Sequence, residues 1–432
     1  MAPRRFHLET LGCPKNQVDS DKLAGTLLAQ GFVPSEQPED ADLVVVNTCA
    51  FIEDARQESI DVVLALDERR RPGSRLVVTG CLAERYGDEL ADALPEVDQV
   101  AGFGVPVTLA PTRRPARAAP APAPPPAEAP SLDLLNLPRP PARAPWAYVK
   151  VAEGCDRTCG FCAIPSFRGP QRSRSVDSIL AEVDGLGVQE VVLVAQDLAS
   201  YGKDVPGLGA GAIVPLVAAV AARVPRVRLL YLYPSDLTDE LVEAVCATGV
   251  PYFDLSLQHV AKPLLRRMRR WGDGDRFLRR IEAIRAVAPD AAFRSNFIVG
   301  YPGETEEHHD ELLAFVEAAQ LDWCGFFAYS REEGTYAAEL DGQVPEGLVK
   351  ERLGELTERQ DRITAARRDA LIGRTAEVLV DAPGVARSHR EAPEIDGIVV
   401  VPDTLPVGSF ATVRVVAAEG PDLVAEPVAT PG

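Results

Sequence analysis

The chain has 432 residues, of which 46% are hydrophobic and 25% charged, a composition typical of a globular protein with two or three domains. Its formal charge of −19 argues against sequence-independent binding of nucleic-acid phosphates and favours a basic partner. No apolar run reaches the roughly eighteen residues of a membrane-spanning helix, and the first residues lack the apolar stretch of a signal peptide. We therefore expect a cytoplasmic protein without a membrane partner, whose eight cysteines are ligands or core thiols rather than disulfides.

Residues 1–105 alternate between strand and helix patterns, which predicts an open parallel α/β domain. The predicted strands are 5–10, 43–47, 75–79 and 97–101, and the predicted helices are 18–31 and 51–67. The first helix is expected to take Asp19 or Ser20 as its N-cap and to end at Gly31.

Three cysteines of this domain, Cys13, Cys49 and Cys81, each come just after a predicted strand. The carboxyl ends of parallel strands share one edge of a sheet, where ligands bind, so the three thiols should converge there. This position predicts a three-thiolate metal site. The alternative is that each cysteine is a small buried hydrophobic residue.

The rest of the chain falls into three stretches. Residues 106–145 are rich in Pro and Ala and predict an extended linker, in which the apolar residues 132–137 serve as spacer or dock on a neighbour. Residues 146–372 contain six strand-then-helix units and a charged connector helix, which fit a partial (βα)6 barrel rather than a closed eight-fold one. The predicted strands are 147–152, 190–195, 227–232, 252–257, 293–299 and 324–329. Residues 373–432 predict a small antiparallel β-barrel.

The loop after the first of these six strands carries Cys155, Cys159 and Cys162 at C-x3-C-x2-C spacing. Zinc usually takes four ligands, and no second cysteine pair or nearby histidine completes such a set. Three thiolates suit a [4Fe–4S] cluster with one open iron, although a zinc knuckle remains the alternative. The spacing resembles the radical S-adenosylmethionine (SAM) signature, which implies that the open iron holds SAM and that the cluster cleaves it to a 5′-deoxyadenosyl radical.

The three parts together resemble the methylthiotransferase family, which combines a cluster domain, a radical SAM barrel and a C-terminal TRAM barrel. The stretches that carry the resemblance are LGCPKNQVDSDKL, EGCDRTCGFCAIPSFRGPQRSRS, VAQDLASYG, SLQHV and FIVGYPGETEE. The GCPKN motif is similar to the branch that modifies ribosomal protein S-twelve, whereas the tRNA-modifying branch typically has a GCQMN-type motif. A tRNA adenosine is the alternative substrate, and a non-catalytic iron–sulfur or zinc scaffold is the alternative of a different class.

The resemblance implies two [4Fe–4S] clusters and no catalytic side chain beyond their ligands. By position, Cys13, Cys49 and Cys81 would bind an auxiliary cluster, and the second cysteine triad would bind the radical SAM cluster. One SAM would methylate a sulfur on the auxiliary cluster, and a second would supply the radical that takes hydrogen from the substrate carbon. The implied substrate carbon is an aspartate β-carbon of protein S-twelve, either free or within the ribosome.

Further candidate residues rest on weaker signals. The candidate SAM contacts are Phe161, at the family's adenine-side aromatic position, and Gln196, Gln258 and Asn296, at carboxyl ends of predicted strands. The run Arg266, Arg267, Arg269 and Arg270 is interpreted as a solvated helix face, or alternatively as the place that receives an electron donor such as flavodoxin. Residues 373–432 contain four Arg and nine acidic residues, 4 − 9 = −5, which favours a basic protein partner over tRNA.

Overall fold

Parallel strands with intervening helices form the frame of both units into which the chain folds. The computed structural model describes residues 3–107, 109 and 133–428. One unit contains Met1–Pro140 and Ala163–Pro170, and the other contains Pro141–Cys162 and Gln171–Gly432. Within the described ranges, no helix is both long enough and apolar enough to span a membrane.

The first unit contains a five-stranded parallel sheet in the order β2–β1–β3–β4–β5. Valines of β3 and β4 pack alternately into the cores on the two faces, which explains their continuous apolar runs. The predicted open parallel α/β architecture is confirmed, with a short edge strand, β2, in addition. The elements are β1 (Arg5–Thr10), α1 (Pro14–Ala29), β2 (Val33–Pro34), β3 (Leu43–Thr48), α2 (Glu53–Arg69), β4 (Arg75–Gly80), α3 (Cys81–Ala93), β5 (Gln99–Ala101) and α4 (Ile164–Arg168).

The predicted start of the first helix is wrong. Helix α1 begins at Pro14 and has Cys13, not Asp19 or Ser20, as its N-cap. Proline suits the first helical position because the N–H that it lacks has no partner within a helix. Because α1 begins earlier than predicted, Cys13 lies at its N-terminal end.

The apolar patch in the predicted linker packs against the first unit where it is described. Leu134 and Leu135 are buried, and Leu134 joins the core that contains Leu23 and Leu27. The Lys22 ammonium donates a hydrogen bond to the carbonyl of Leu135 at 2.5 Å. Residue 108 and residues 110–132 of the predicted linker lie outside the described residues.

The second unit begins with a partial barrel of six parallel strands in the order β6–β9–β10–β11–β12–β13. Strands β6, β9 and β10 form one sheet, β11 to β13 form another, and a parallel bridge between Leu232 and Leu255 connects them. The predicted (βα)6 barrel is therefore confirmed. The six barrel strands are β6 (Trp146–Lys150), β9 (Glu190–Val194), β10 (Arg226–Leu229), β11 (Tyr252–Gln258), β12 (Ala292–Val299) and β13 (Trp323–Ala328). Two short strands, β7 (Ala152–Glu153) and β8 (Arg172–Ser173), form a separate antiparallel pair. The helices are α5 (Val176–Leu186), α6 (Ile213–Ala221), α7 (Asp239–Ala247), α8 (Lys262–Arg267), α9 (Gly274–Val287), α10 (Glu306–Ala319) and α11 (Glu346–Asp369).

A closed five-stranded barrel follows in the order β14–β15–β16–β18–β17. Alternating valines of β14 and β17 fill its core. The predicted small barrel is confirmed, but it is not purely antiparallel, because β16 and β18 pair in parallel. The strands are β14 (Thr375–Ala382), β15 (Val385–Arg387), β16 (Val399–Val400), β17 (Phe410–Glu419) and β18 (Asp422–Pro427).

Residues 387–396 of the small barrel cover the N-terminal ends of the parallel strands of the second unit. Buried Glu190, the first residue of β9, is paired with Arg228 at 2.8 Å and with Arg387 at 3.2 Å. The Tyr148 hydroxyl donates to the carbonyl of Pro393 at 2.8 Å, and the Trp323 indole N–H donates to that of Arg390 at 2.8 Å. A ligand site of the six-stranded barrel is therefore expected at the opposite, carboxyl ends of its strands.

Candidate functional site

The first candidate site lies where three neighbouring strands of the first unit end. Cys13 is the N-cap of α1, Cys49 directly follows β3, and Cys81 is the first residue of α3. Gly12 has φ +96°, and an added Cβ there would lie 2.9 Å from Cβ and 3.0 Å from Sγ of Cys49. The loop before Cys13 thus packs directly on Cys49.

Electrostatics also link the three thiols. Burial, with smaller contributions from the nearby charges of Cys81 and Cys13, raises the pKa of Cys49 to about 11. Burial likewise raises the pKa of Cys81. Burial opposes ionisation of Cys13, but the positive charges of Lys15 and Arg168 outweigh it and lower the pKa of that thiol. Binding of a metal centre here would displace protons from the two more buried thiols.

A buried arginine, which the sequence analysis missed, contacts this thiol site. Arg168 lies at the end of α4 and donates hydrogen bonds to Asn16 Oδ1 at 2.7 Å and to Cys81 Sγ at 3.0 Å. It also pairs with Asp19 at 3.4 Å and lies over the Phe103 ring, 4.5 Å from its centroid. A guanidinium in this position stabilises negative charge on sulfur.

Two asparagines fix the loops that carry the thiols. Asn16 is fully buried and donates to the carbonyls of Leu11 at 2.9 Å and Thr48 at 3.1 Å. Asn47 donates in turn to the carbonyl of Asn16 at 2.8 Å. These bonds connect the residues just before Cys13 and Cys49, so the asparagine of the GCPKN motif holds the two loops together.

The second candidate site is the cysteine loop of the second unit. The backbone N–H of Arg157 donates to Cys155 Sγ at 3.4 Å, and Arg270 Nη1 donates to Cys159 Sγ at 3.4 Å. Burial, with smaller contributions from the charges of Asp197 and Cys159, raises the pKa of Cys155 to about 11. Cys162 lies in the same loop, where its N–H donates to the carbonyl of Cys159 at 3.2 Å.

A glycine allows this loop to pack closely on its surroundings. The N–H of Gly160 donates to the carbonyl of Met268 at 2.8 Å, and its carbonyl accepts from the N–H of Ala337 at 2.7 Å. An added Cβ at Gly160 would lie 2.8 Å from the Tyr301 hydroxyl. A larger residue between the second and third cysteines would therefore displace the loop.

Both thiol sets have the donor chemistry of iron–sulfur sites. Within the described ranges, no three His, Cys, Asp or Glu side chains converge as a single metal ion requires. A [4Fe–4S] cube binds each thiolate on a different iron, so it does not need that convergence. Each set supplies three thiols, and in each an arginine N–H points at one sulfur. The residues therefore fit such clusters.

The candidate SAM residues differ in what the structure shows of them. Gln196 donates to Glu153 at 2.8 Å, and among the described residues its buried Oε1 has no hydrogen-bond partner. The buried Oδ1 of Asn296 likewise has none there, and an added Cβ at Gly325 would lie 2.6 Å from it. Asn296 lies within β12 rather than at its end. Two carbonyl oxygens are thus available to accept hydrogen bonds from a ligand.

The other two candidates have distinct features. Gln258, the last residue of β11, has φ +70°, in the left-handed region that non-glycine residues rarely adopt. Such backbone strain is concentrated at functional positions. Phe161 is partly buried and packs against the core of the second unit.

The interpretation of the arginine run as one solvated helix face is wrong. Helix α8 ends at Arg267, which donates to the carbonyl of Asp341 at 2.9 Å. Arg270 donates inward to Cys159, and its guanidinium lies 4.1 Å from the centroid of the Tyr233 ring. Periodicity alone could not reveal this, because the helix ends within the run.

Comparison with known proteins gives matches over all three parts of the chain. Residues 5–102 match "Uncharacterized protein family UPF0004", residues 149–316 the radical SAM superfamily, and residues 372–428 the TRAM domain. The ribosomal protein uS12 methylthiotransferase RimO of Frankia casuarinae is 44% identical, with 99% of this chain and 93% of that protein covered. RimO of Moorella thermoacetica is 43% identical, with 95% and 96% covered.

Among solved structures, the radical SAM methyltransferase TsrM from Kitasatospora setae has the same fold, with a TM-score of 0.50, 13% identity and coverage of 94% of this chain and 84% of that one. The barrel, its cysteine signature and these matches define a radical SAM enzyme. Within that class, the chain belongs to the RimO family of ribosomal protein uS12 methylthiotransferases.

Proposed function

We propose that the chain transfers a methylthio group to the β-carbon of an aspartate in uS12, the small-subunit protein S-twelve, with SAM as both methyl donor and radical source. The observation that carries this proposal is the pair of cysteine triads in a chain 44% identical to a RimO protein. A single radical SAM site would need only one triad. The second, on the first unit, supplies a place for the sulfur that the product gains.

Each set of residues has a defined part in this proposal. Cys155, Cys159 and Cys162 would hold the radical SAM cluster, and Cys13, Cys49 and Cys81 the auxiliary one. When bound, the clusters and SAM supply the radical and the methylated sulfur, chemistry that amino-acid side chains cannot provide. Arg168 and Arg270 each donate an N–H to a ligand sulfur, which favours the thiolate form.

SAM would be held by polar groups of the second unit. Gln196 is oriented by its hydrogen bond to Glu153, which leaves its Oε1 available to a donor. The Oδ1 of Asn296 is available in the same way, and the absence of a side chain at Gly325 leaves space beside it. The ammonium and ribose hydroxyl groups of SAM are donors of the required kind. Gln258 and Phe161 complete the proposed set of contacts.

The small barrel favours a protein substrate over tRNA. Of its charged residues, Arg387, Arg390 and Glu391 are buried and do not face solvent. The exposed charges in its described part are two arginines and five acids, 2 − 5 = −3. A surface that binds nucleic-acid phosphates is usually basic, whereas an acidic one is complementary to a basic ribosomal protein.

The enzyme would act in the cytoplasm, where its ribosomal substrate is found. A carrier such as flavodoxin would supply it with electrons.

The test is mass spectrometry of ribosomal proteins and tRNA nucleosides after anaerobic incubation with reconstituted enzyme, SAM, sulfide and reductant. We expect a methylthio adduct on an aspartate of uS12 and none on tRNA. An adduct on a tRNA adenosine would keep the chemistry and overturn the proposed substrate.

Two triple variants test the division of labour between the cysteine sets. Replacing Cys155, Cys159 and Cys162 with Ala should abolish 5′-deoxyadenosine formation from SAM. Replacing Cys13, Cys49 and Cys81 should preserve that formation and stop methylthio transfer. Identical behaviour of the two variants would show that the cysteines do not form two separate sites.

A further inference from the structure

One short stretch of the second unit has a charge opposite to that of the chain. Residues 266–280 contain seven Arg and two Asp, 7 − 2 = +5, whereas the whole chain carries −19. They comprise the end of α8, a turn and the start of α9. A positive patch on an acidic protein attracts acidic partners to one place on its surface.

The arginines of this stretch point in two directions. Arg270 points inward to Cys159, as described above, and Arg267 donates to a backbone carbonyl. Arg276 and Arg279, on the first turns of α9, are exposed. The Arg276 side chain is 51% exposed and is paired with Asp273 at 3.4 Å. The outward arginines therefore carry charge that a partner can reach.

An apolar cavity opens beside these arginines. It has a volume of about 380 Å³, and its lining includes Leu255, Leu257, Phe277 and the 43% exposed Trp271. Trp271 and Phe277 have ring centroids 6.2 Å apart. An exposed tryptophan beside an apolar cavity with an arginine rim is the composition of an interface hot spot.

The surface is also close to the radical SAM cysteine loop along the chain. Trp271 directly follows Arg270, whose guanidinium donates to Cys159 Sγ at 3.4 Å. A single residue therefore connects the exposed indole with a proposed cluster ligand. A molecule seated on Trp271 would have this short covalent and hydrogen-bonded route to the cluster loop.

We propose that the surface formed by Trp271, Arg276, Arg279 and the adjoining cavity docks an acidic one-electron carrier protein. The proposal rests on the radical SAM function proposed above, which requires one electron for each SAM cleaved. The carrier is oxidised by one electron and the centre held by the cysteine loop is reduced by one, with no leaving group. Charged, small interfaces of this kind are typical of transient electron-transfer complexes.

Other partners fit this surface less well. The proposed substrate is a basic ribosomal protein, and the exposed charges of residues 266–280, four Arg and one Asp, 4 − 1 = +3, repel it. Ribosomal RNA would be attracted by the arginines, but it would make no use of the route from Trp271 to Cys159. The position next to the cluster loop therefore favours the electron carrier.

The experiment compares Arg276→Glu/Arg279→Glu with a control, Arg359→Glu/Arg362→Glu, which reverses the charges of two arginines on α11 that are 34% and 65% exposed. Glutamate at position 276 suits the first turn of α9, where Asp273 is the N-cap, so the variant should fold. Binding of oxidised flavodoxin is measured at about 50 mM and about 300 mM salt. Formation of 5′-deoxyadenosine is measured with reduced flavodoxin and, separately, with dithionite.

We expect the docking variant to lose roughly tenfold or more in flavodoxin affinity at low salt, and to lose flavodoxin-driven but not dithionite-driven cleavage. The control should match the unchanged protein. Arg276→Gln/Arg279→Gln should give an intermediate affinity. Unchanged flavodoxin binding in the docking variant would overturn the proposal. If dithionite does not drive 5′-deoxyadenosine formation even in the unchanged protein, the proposed radical function is wrong. The flavodoxin-binding measurement still tests the docking surface in that case.

Discussion

Replacing Arg168 with Met tests whether one buried guanidinium stabilises the cysteine loops of the first unit. The change removes the hydrogen bonds to Asn16 and Cys81 and the ion pair with Asp19. The side chains of Arg168 and Asp19 are 3% and 1% exposed, so water cannot replace the lost partner. Breaking a buried pair costs about 3–5 kcal/mol. We expect about 3 kcal/mol, because Met retains the packing against Phe103.

The assay is hydrogen exchange of the β3 and β4 amides in the full-length protein, measured by mass spectrometry. A loss of about 3 kcal/mol makes exchange roughly 150-fold faster where it requires opening of the unit. Asp19→Asn/Arg168→Met should recover part of the loss, since it removes the carboxylate charge as well. Arg69→Met is the control, because that side chain is 53% exposed and its ion pair with Glu39 should contribute little. Unchanged exchange in Arg168→Met would refute the reasoning.

Two further predictions concern local geometry and burial. Gly12→Ala should lower the iron and sulfide content of the reconstituted full-length protein and its thermal midpoint, because the new Cβ would lie 2.9 Å from Cβ of Cys49. Gly31 has a similar φ of +86° but open space around it, so the control Gly31→Ala should leave the iron content unchanged. Equal losses of iron in both variants would mean that backbone strain alone is responsible. Burial lowers the pKa of His259 to about 3 from 6.5, so the unfolded chain binds its proton first on acidification. The contribution of neutral His259 to the free energy of unfolding should be complete above about pH 6.5 and fall by up to ~1.4 kcal/mol per pH unit below it. Urea unfolding at two pH values should show a smaller loss of unfolding free energy for His259→Asn than for the unchanged protein.

The features that the sequence could predict are those set by local pattern. The runs LVVVN and RLVVT are apolar on both faces, which only a strand covered on both sides tolerates, so a parallel sheet followed. The carboxyl ends of such strands lie at one edge, and this rule alone predicts that Cys13, Cys49 and Cys81 lie near each other.

The features that it could not predict depend on contacts between distant residues. Arg168 reaches Cys81 across 87 positions and Arg270 reaches Cys159 across 111, and neither distance leaves a periodic signal. The helix start at Pro14 was predictable in principle, because proline at the first helical position is a local signal. The parallel pairing of β16 with β18 arises from closure of the small barrel, which no single stretch specifies.

The buried charges at the N-terminal ends of the parallel strands limit how this enzyme can be recombined. Glu190 and Arg228 belong to those strands, whereas Arg387 belongs to the small barrel, and all three are removed from water. A chimera that exchanged residues 373–432 for an unrelated TRAM domain would leave Glu190 without one of its two arginines. Unpaired buried charge is costly, so the C-terminal barrel is not an interchangeable module. A graft of another TRAM domain would need to retain residues 387–396 and could differ only in the other parts of the barrel.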